Sequence, residues 1–333
     1  MTLVATELDR PMQVTTMRAA VVTAPGEIEV RNVPLPEPGP GQVRIRLEGC
    51  GVCHSNLPPF EGRPWFNYPM EPGGLGHEGW GVIDELGPGV EGFEIGDRVS
   101  AISYHAYAEY DVADAGSVVC LPAMLEGMPF PAEPLGCAIN IFRRSKVSEG
   151  QTVAIIGIGF LGALLTRLSV AAGARVIAIS RRPYSLEVAK LMGADEVVPM
   201  DDHQHIIERV KQLTGEQFCD VVIEAVGQQW PIDLAGELTK IRGRLVIAGY
   251  HQDGLRQVNM QLWNWRGIDV INAHERDPKA YLSGMQMAVE DVAMGRLDPR
   301  PLFTHTFPLE QLGVALEMTR DRPDGFLKAL IQM

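Results

Sequence analysis

The distribution of apolar and polar positions divides the chain into two regimes. From Met17 to about Val99, short β-branched runs (Arg18 to Val22, Ile28 to Val33, Val43 to Leu47, Trp80 to Leu86) alternate with Pro/Gly punctuation. Pro34-Leu35-Pro36-Glu37-Pro38-Gly39-Pro40-Gly41 breaks any regular element. Many short strands between such turns predict a small β-barrel or sandwich-like unit. Helical periodicity becomes sustained only after Glu133. It predicts a helix over Cys137 to Lys146, a strand over Val153 to Ile156, a helix over Ala163 to Ala172 and a strand over Arg175 to Ile179. Further strand-like runs follow at Glu196 to Val198, Asp220 to Glu224, Arg244 to Ala248 and Asp269 to Ala273. Six strands separated by helical or loop segments predict an α/β unit with a doubly wound parallel sheet. No solenoid-type repeat or low-complexity segment is present.

The start of the second regime carries the clearest chemistry. Gly157-Ile158-Gly159-Phe160-Leu161-Gly162 has a strand before it, a helix after it and a second strand within a ~30-residue unit. In that setting Gly157 permits a tight turn, Gly159 lets backbone approach a pyrophosphate, and Gly162 lets helix pack closely on strand. The helix N-terminus adds free N–H groups and a positive dipole. The alternative is a buried βα turn of some other α/β protein. An NAD site usually places Asp or Glu about 20 residues past the glycines, on the ribose 2′-hydroxyl. This chain has Ser180 there, followed by Arg181 and Arg182. A carboxylate would repel a 2′-phosphate, whereas Ser180 can donate to it and Arg181 can pair with it in a fork. The pattern favours NADP(H) over NAD(H), against the alternative of two solvated arginines opening a helix.

Length and composition limit what else the chain does. With 333 residues, two domains and a sizeable core are expected. A formal charge of −13 argues against a nucleic-acid-binding surface, while leaving room for a local basic pocket such as Arg181-Arg182. The longest apolar run, Val153 to Leu165, is too short to span a bilayer. Residues 1–16 lack a cationic-then-apolar signal pattern and read as a flexible leader. Five cysteines without regular spacing suggest a reducing compartment, the cytoplasm by default.

Two segments of the β-rich regime offer metal ligands: Gly49-Cys50-Gly51-Val52-Cys53-His54-Ser55-Asn56 and Gly76-His77-Glu78-Gly79. Zinc takes thiolate, imidazole and carboxylate, and a catalytic site keeps one position open. Cys53 and His77 are far apart in sequence, so a buried structural Cys and a satisfied His remain the alternative at this level.

Gly76-His77-Glu78-x-x-Gly81, then Gly87-x-x-Val90 and Gly96-Asp97-Arg98-Val99, with Cys53-His54-Ser55 upstream, resembles the signature of zinc-dependent medium-chain dehydrogenases/reductases. The likeness runs from Met17 to the end. It implies a GroES-like β-barrel catalytic domain over 17–136 and a Rossmann domain over 137–290. It also implies a return to the catalytic domain over 291–333, where Leu297-Asp298-Pro299, Phe307-Pro308-Leu309-Glu310 and Phe326-Leu327-Lys328 resemble the closing helix and strand. Cys53 and His77 would be zinc ligands, with Glu78 an adjacent or exchanging one. Glu133-Pro134-Leu135 resembles the sorbitol-dehydrogenase form of the third ligand, and Cys137, one helical turn later, is its rival. Glu133 is preferred, because a Glu in an apolar stretch wants a partner. Ser55 would relay the alcohol proton.

The resemblance also fixes the remaining expectations. Ala225-Val226-Gly227 and Ala248-Gly249-Tyr250 look like the nicotinamide-side loops, at strand carboxyl ends where such folds bind ligand. His251, Asn272, His274 and Glu275 lie nearby, His274 as a contact or equally as a surface or capping group. Trp263 and Trp265 suggest a subunit or pocket wall. Ser100 to Val112 contains no cysteine, so a structural zinc is not expected. Asn56 stands where the family often has Asp, which leaves His54, His105 and Tyr104 as candidates for the onward proton route. The implied activity is zinc-dependent hydride transfer between NADP(H) and a secondary alcohol/ketone, with a polyol, sugar alcohol or cyclitol suggested by the Glu-Pro-Leu form. A homodimer or homotetramer acting on a small molecule is expected, with no nucleic-acid or membrane partner. The alternatives are a zinc-independent NADPH enone/quinone reductase and a non-catalytic NADPH-binding protein.

Overall fold

A computed structural model describes residues 15–333. The expected leader lies outside the described residues except for its last two positions, and Thr16 already opens the first strand. β1 (Thr16–Ala24) and β2 (Glu27–Pro34) form an antiparallel hairpin. β3 (Gln42–Gly51), β4 (Gly79–Leu86), β5 (Arg98–Ala101), β6 (Tyr110–Asp114) and β7 (Val118–Cys120) build a second sheet. The final strands of the chain, β14 (Phe303–Pro308) and β15 (Lys328–Gln332), complete it in the order β14-β15-β3-β4-β5-β7. Along one edge β3 is shared. Its first half pairs with β6 and its last three residues with β15, while β4 lies along the other edge. This bent, Gly-punctuated arrangement is the barrel-like unit expected, and β15 places Lys328 beside the end of β3.

The third sheet of the fold is wholly parallel. β8 (Thr152–Ile156), β9 (Arg175–Ser180), β10 (Glu196–Pro199), β11 (Cys219–Glu224), β12 (Thr239–Ile247) and β13 (Asp269–Asn272) lie in the order β10-β9-β8-β11-β12-β13. The order reverses between β8 and β11, which opens a crevice at their carboxyl ends. Helices cover both faces, so Val153 to Ile156 and Val176 to Ile179 are all 0% exposed and read as continuous apolar runs. Each fully buried Val or Ile side chain among them contributes about 1.5–3 kcal/mol.

The helices are α1 (Leu57–Phe60), α2 (Ala132–Ser145), α3 (Phe160–Ala171), α4 (Pro183–Leu191), α5 (His203–Thr214), α6 (Gln229–Leu238), α7 (Met260–Arg266), α8 (Pro278–Ala293) and α9 (Leu312–Asp321). α2 starts five residues earlier than its periodicity predicts. Pro134 is tolerated in its first turn, where a missing N–H would have no intrahelical partner anyway. Glu133 and Cys137 therefore share one helix face, one turn apart, and α8 packs against that helix. Trp263 is largely buried, its indole lying where a side chain on Gly236 would stand, and it also lines a pocket with His203, Trp230 and Asn259. Trp265 is 87% exposed. Among the described residues no helix is long and apolar enough to cross a membrane.

Candidate active site and dinucleotide cleft

The end of β3 and the loop entering β4 bring Cys53, His77 and Glu78 together, with one ligand atom of each within 4.8 Å of the others. Asn56 ties the two segments to each other. Its Oδ1 accepts from the Cys53 backbone at 3.2 Å and from the Tyr107 hydroxyl at 2.8 Å, and its Nδ2 donates to the Leu75 carbonyl at 2.9 Å. The same carbonyl accepts from His77 Nδ1 at 2.8 Å. That bond places a proton on Nδ1 and leaves Nε2 as the ring nitrogen available to a metal. Gly51 is obligatory here, since a Cβ would stand 1.8 Å from Glu78 Oε2. Burial pulls the His77 imidazole down, yet Cys53, Glu133 and Glu78 outweigh it and push it up to about 10. A thiol, an imidazole and a carboxylate concentrated in this way form a donor set that suits zinc.

Glu78 is 0% exposed. Lys328, itself buried, donates to its Oε1 at 2.7 Å and lies 2.5 Å from Oε2. Burial lowers the Lys328 ammonium, but Glu78 and Cys53 more than compensate and hold it above its ordinary value.

Glu133 is buried near His77 but lies outside the Cys53–His77–Glu78 triangle. Its Oε1 accepts from the Tyr281 hydroxyl, presented by α8, and from Cys137 Sγ at 3.4 Å. Tyr281 Oη is also 2.9 Å from that sulfur. Burial raises the Glu133 carboxyl, and burial together with Glu133 raises the Cys137 thiol well above its ordinary value. Cys137 is thus hydrogen-bonded to Glu133.

Ser55 is half-buried beside these groups. His54 has its Nδ1 3.1 Å from Arg322 Nη2, and partial desolvation of its ring together with that cation pushes its imidazole down to about 4. The other relay candidates are exposed: Tyr104 is 67% accessible, and His105 donates its backbone N–H to Asp111.

At the sheet crevice the three glycines differ in the ways their spacing predicts. Gly157 has φ +96°, and a Cβ there would strike Val226 at 2.4 Å. Gly162 lies so close to the Gly157 carbonyl that a Cβ would sit 2.0 Å from its oxygen. Gly159, the N-cap of α3, has nothing within 4 Å of a built Cβ and no side-chain cap. That leaves the N–H groups of the first turn, Phe160 and Leu161 among them, open to an anion. Ser180 ends β9 nearly buried, and Arg181 is exposed. Arg182 instead donates from Nη1 to the Phe326 carbonyl at 2.6 Å, so part of its fork is already used. Ala225 and Gly227 follow β11, and Ala248 and Gly249 follow β12, the two loops interlocked with each other beside the crevice. Asn272 is exposed, His274 lies tilted against Tyr250 with ring centroids 5.9 Å apart, and Glu275 caps the backbone of Arg276 and Asp277.

The metal triangle and the cleft meet at Lys328, whose Nζ lies 5.2 Å from the centroid of the Phe160 ring. Lys328 and Glu224 escape a reading by motif, although Lys328 is the sole charge of an apolar strand and Glu224 ends the apolar run Val221-Val222-Ile223, a pattern that demands a buried partner. Tyr281 carries no such signal.

Comparison with known proteins places this geometry. Residues 39–129 match the family model "Alcohol dehydrogenase GroES-like domain", and residues 161–289 match "Zinc-binding dehydrogenase". An alcohol dehydrogenase of Rhizobium meliloti (strain 1021) is 34% identical over 268 residues, covering 70% of this chain and 77% of that one. The sorbitol dehydrogenase of Bacillus subtilis (strain 168) is 27% identical over 349 residues, covering 95% and 97%. Among solved structures, one from Sinorhizobium meliloti 1021, described as a zinc-binding dehydrogenase bound to NADP, superposes with a TM-score of 0.83. It is 25% identical and covers 96% of this chain and 100% of that one.

Proposed function

The chain belongs to the zinc-binding alcohol dehydrogenase family, and from that premise we propose reversible hydride transfer between NADP(H) and a secondary alcohol/ketone pair. Family membership supports an oxidoreductase of alcohols. The finer reading rests on one observation: Lys328 bonds Glu78 of the Cys53–His77–Glu78 triangle while lying over Phe160 of the glycine turn. A metal-ligand set and a dinucleotide turn within reach of one side chain suit hydride transfer beside a Lewis acid.

Cys53, His77 and Glu78 would hold one zinc, with Glu133, held by Tyr281, close by. When bound, zinc draws electron density from a substrate oxygen. The nicotinamide supplies the hydride. Ser55 would accept the hydroxyl proton. Glu133 offers a second oxygen to a neighbouring hydroxyl, which favours polyols, as the sorbitol dehydrogenase relative suggests. The glycine turn and the α3 N-terminus would seat the pyrophosphate, and Ser180 and Arg181 the 2′-phosphate. No structural zinc is part of this reading. A homo-oligomer is, supported by the edge position of β13 and the exposed Met260 and Trp265 on the neighbouring α7. So is a cytoplasmic setting, supported by five cysteines that are all free thiols.

The test combines metal analysis of protein purified without added zinc with initial rates on secondary alcohols, polyols, enones and quinones, using NADPH and NADH in turn. About one zinc per chain and zinc-dependent polyol or ketone turnover are expected. Turnover of enones alone, unaffected by zinc removal, would replace this reading with the zinc-independent reductase.

A further inference from the structure

Glu224, the last residue of β11, is a fully buried carboxylate that the hydride-transfer reading does not use. Its Oε1 accepts from the backbone N–H groups of Val226 and Gly227, both at 2.7 Å. Its Oε2 is 3.0 Å from His251 Nε2. Arg256 donates from Nε to His251 Nδ1 at 2.9 Å, so Nδ1 is an acceptor and the ring proton must sit on Nε2, aimed at Glu224. Arg256 also donates from Nη2 to the Gly227 carbonyl at 2.8 Å and pairs with Asp253. The loop after β11 is therefore gripped from both sides, by Glu224 on its N–H groups and by Arg256 on a carbonyl.

That loop forms one wall of the crevice. Val226 packs so closely on Gly157 that a Cβ on the glycine would stand 2.4 Å from its methyl. The loop after β12 locks in as well, since a Cβ on Gly249 would meet Gly227 N at 2.2 Å and Glu224 Oε2 at 2.7 Å. Displacing Val226–Gly227 would reshape the glycine turn itself.

We infer that His251 and Arg256 are positioning residues for the dinucleotide: acting through Glu224 and Gly227, they hold the loop after β11 against Gly157 in the shape that admits the cofactor. The inference rests on the dinucleotide reading and is independent of zinc. It assigns the relay to the nicotinamide side of the crevice, so NADPH and NADH should depend on it alike, unlike the Ser180–Arg181 end.

The test is fluorescence titration of NADPH and NADH into the zinc-loaded parent protein, His251→Leu, His251→Gln and Arg256→Ala, with thermal midpoints recorded for each. Gln can donate from its amide to Glu224 and accept from Arg256, whereas Leu can do neither. His251→Leu and Arg256→Ala are expected to weaken both dinucleotides about tenfold or more, the effect of leaving a buried polar group unpaired. His251→Gln should return to within about threefold of the parent, since it restores both bonds. Unchanged binding in Arg256→Ala, or His251→Gln binding as poorly as His251→Leu, overturns the relay. A parent protein that binds neither dinucleotide removes the cofactor reading and the inference with it. Arg256 sits at the outer end of the relay, so its variant keeps the test decisive if the His251 variants do not fold.

Discussion

Lys328 donates to Glu78 across 250 residues of sequence, at 2.7 Å, with side chains only 6% and 0% exposed. The pair joins the last strand of the chain to the loop that carries His77. A buried ion pair adds little net stability when intact, but breaking it leaves an uncompensated charge. Lys328→Met should therefore destabilise the chelator-treated protein by about 3–5 kcal/mol. Zinc should recover much of that loss, because Glu78 would then face a cation again. Thermal denaturation with chelator and with zinc measures the difference, and an equal loss in both would argue against Glu78 as a metal ligand.

The glycine turn separates folding from binding. Gly162→Ala forces a Cβ to within 2.0 Å of the Gly157 carbonyl and should cost about 1–3 kcal/mol of stability through overpacking. Gly159→Ala meets nothing in the protein itself, so its unfolding midpoint in urea should stay near that of the parent while dinucleotide affinity falls. Equal effects of the two variants on stability would contradict the assignment of Gly159 as the open position.

Cofactor choice should turn on the end of β9. Arg181→Ala is expected to weaken NADPH roughly ten- to hundredfold, the worth of a charge-assisted hydrogen bond, and to leave NADH nearly unchanged. Ser180→Asp should disfavour NADPH further and improve NADH. KM values for the two cofactors report the ratio, and NADH preference already present in the parent protein would sink the 2′-phosphate assignment.

Tyr281 holds Glu133 and Cys137 from a neighbouring helix. Tyr281→Phe keeps the ring and removes only the hydroxyl, so a loss of about 1–2 kcal/mol in urea unfolding is expected. Freeing Glu133 should also change metal affinity, read by competition with a chromophoric chelator. A variant identical to the parent in both measurements would show that the hydroxyl holds nothing in place.

What the sequence determines by itself is local. Gly157, Gly159 and Gly162 act within one strand, turn and helix, so spacing and steric demand alone assign their separate roles, and the alternation after Glu133 fixes the parallel sheet in the same way. The metal site is only half legible at that level. Cys53 and His77 stand out as ligand types, but the choice between Glu78 and Glu133 depends on which carboxylate other elements hold. Only tertiary packing distinguishes their surroundings, by bringing Lys328 from the last strand onto Glu78, which lies with Cys53 and His77, and Tyr281 from α8 onto Glu133. The same is true of His77, whose Nδ1 is engaged by the Leu75 carbonyl, and of Glu224, whose partners include His251 from the next loop. Periodicity encodes which face of an element is buried. It does not encode which distant side chain meets a buried charge, because that depends on how whole elements close on one another.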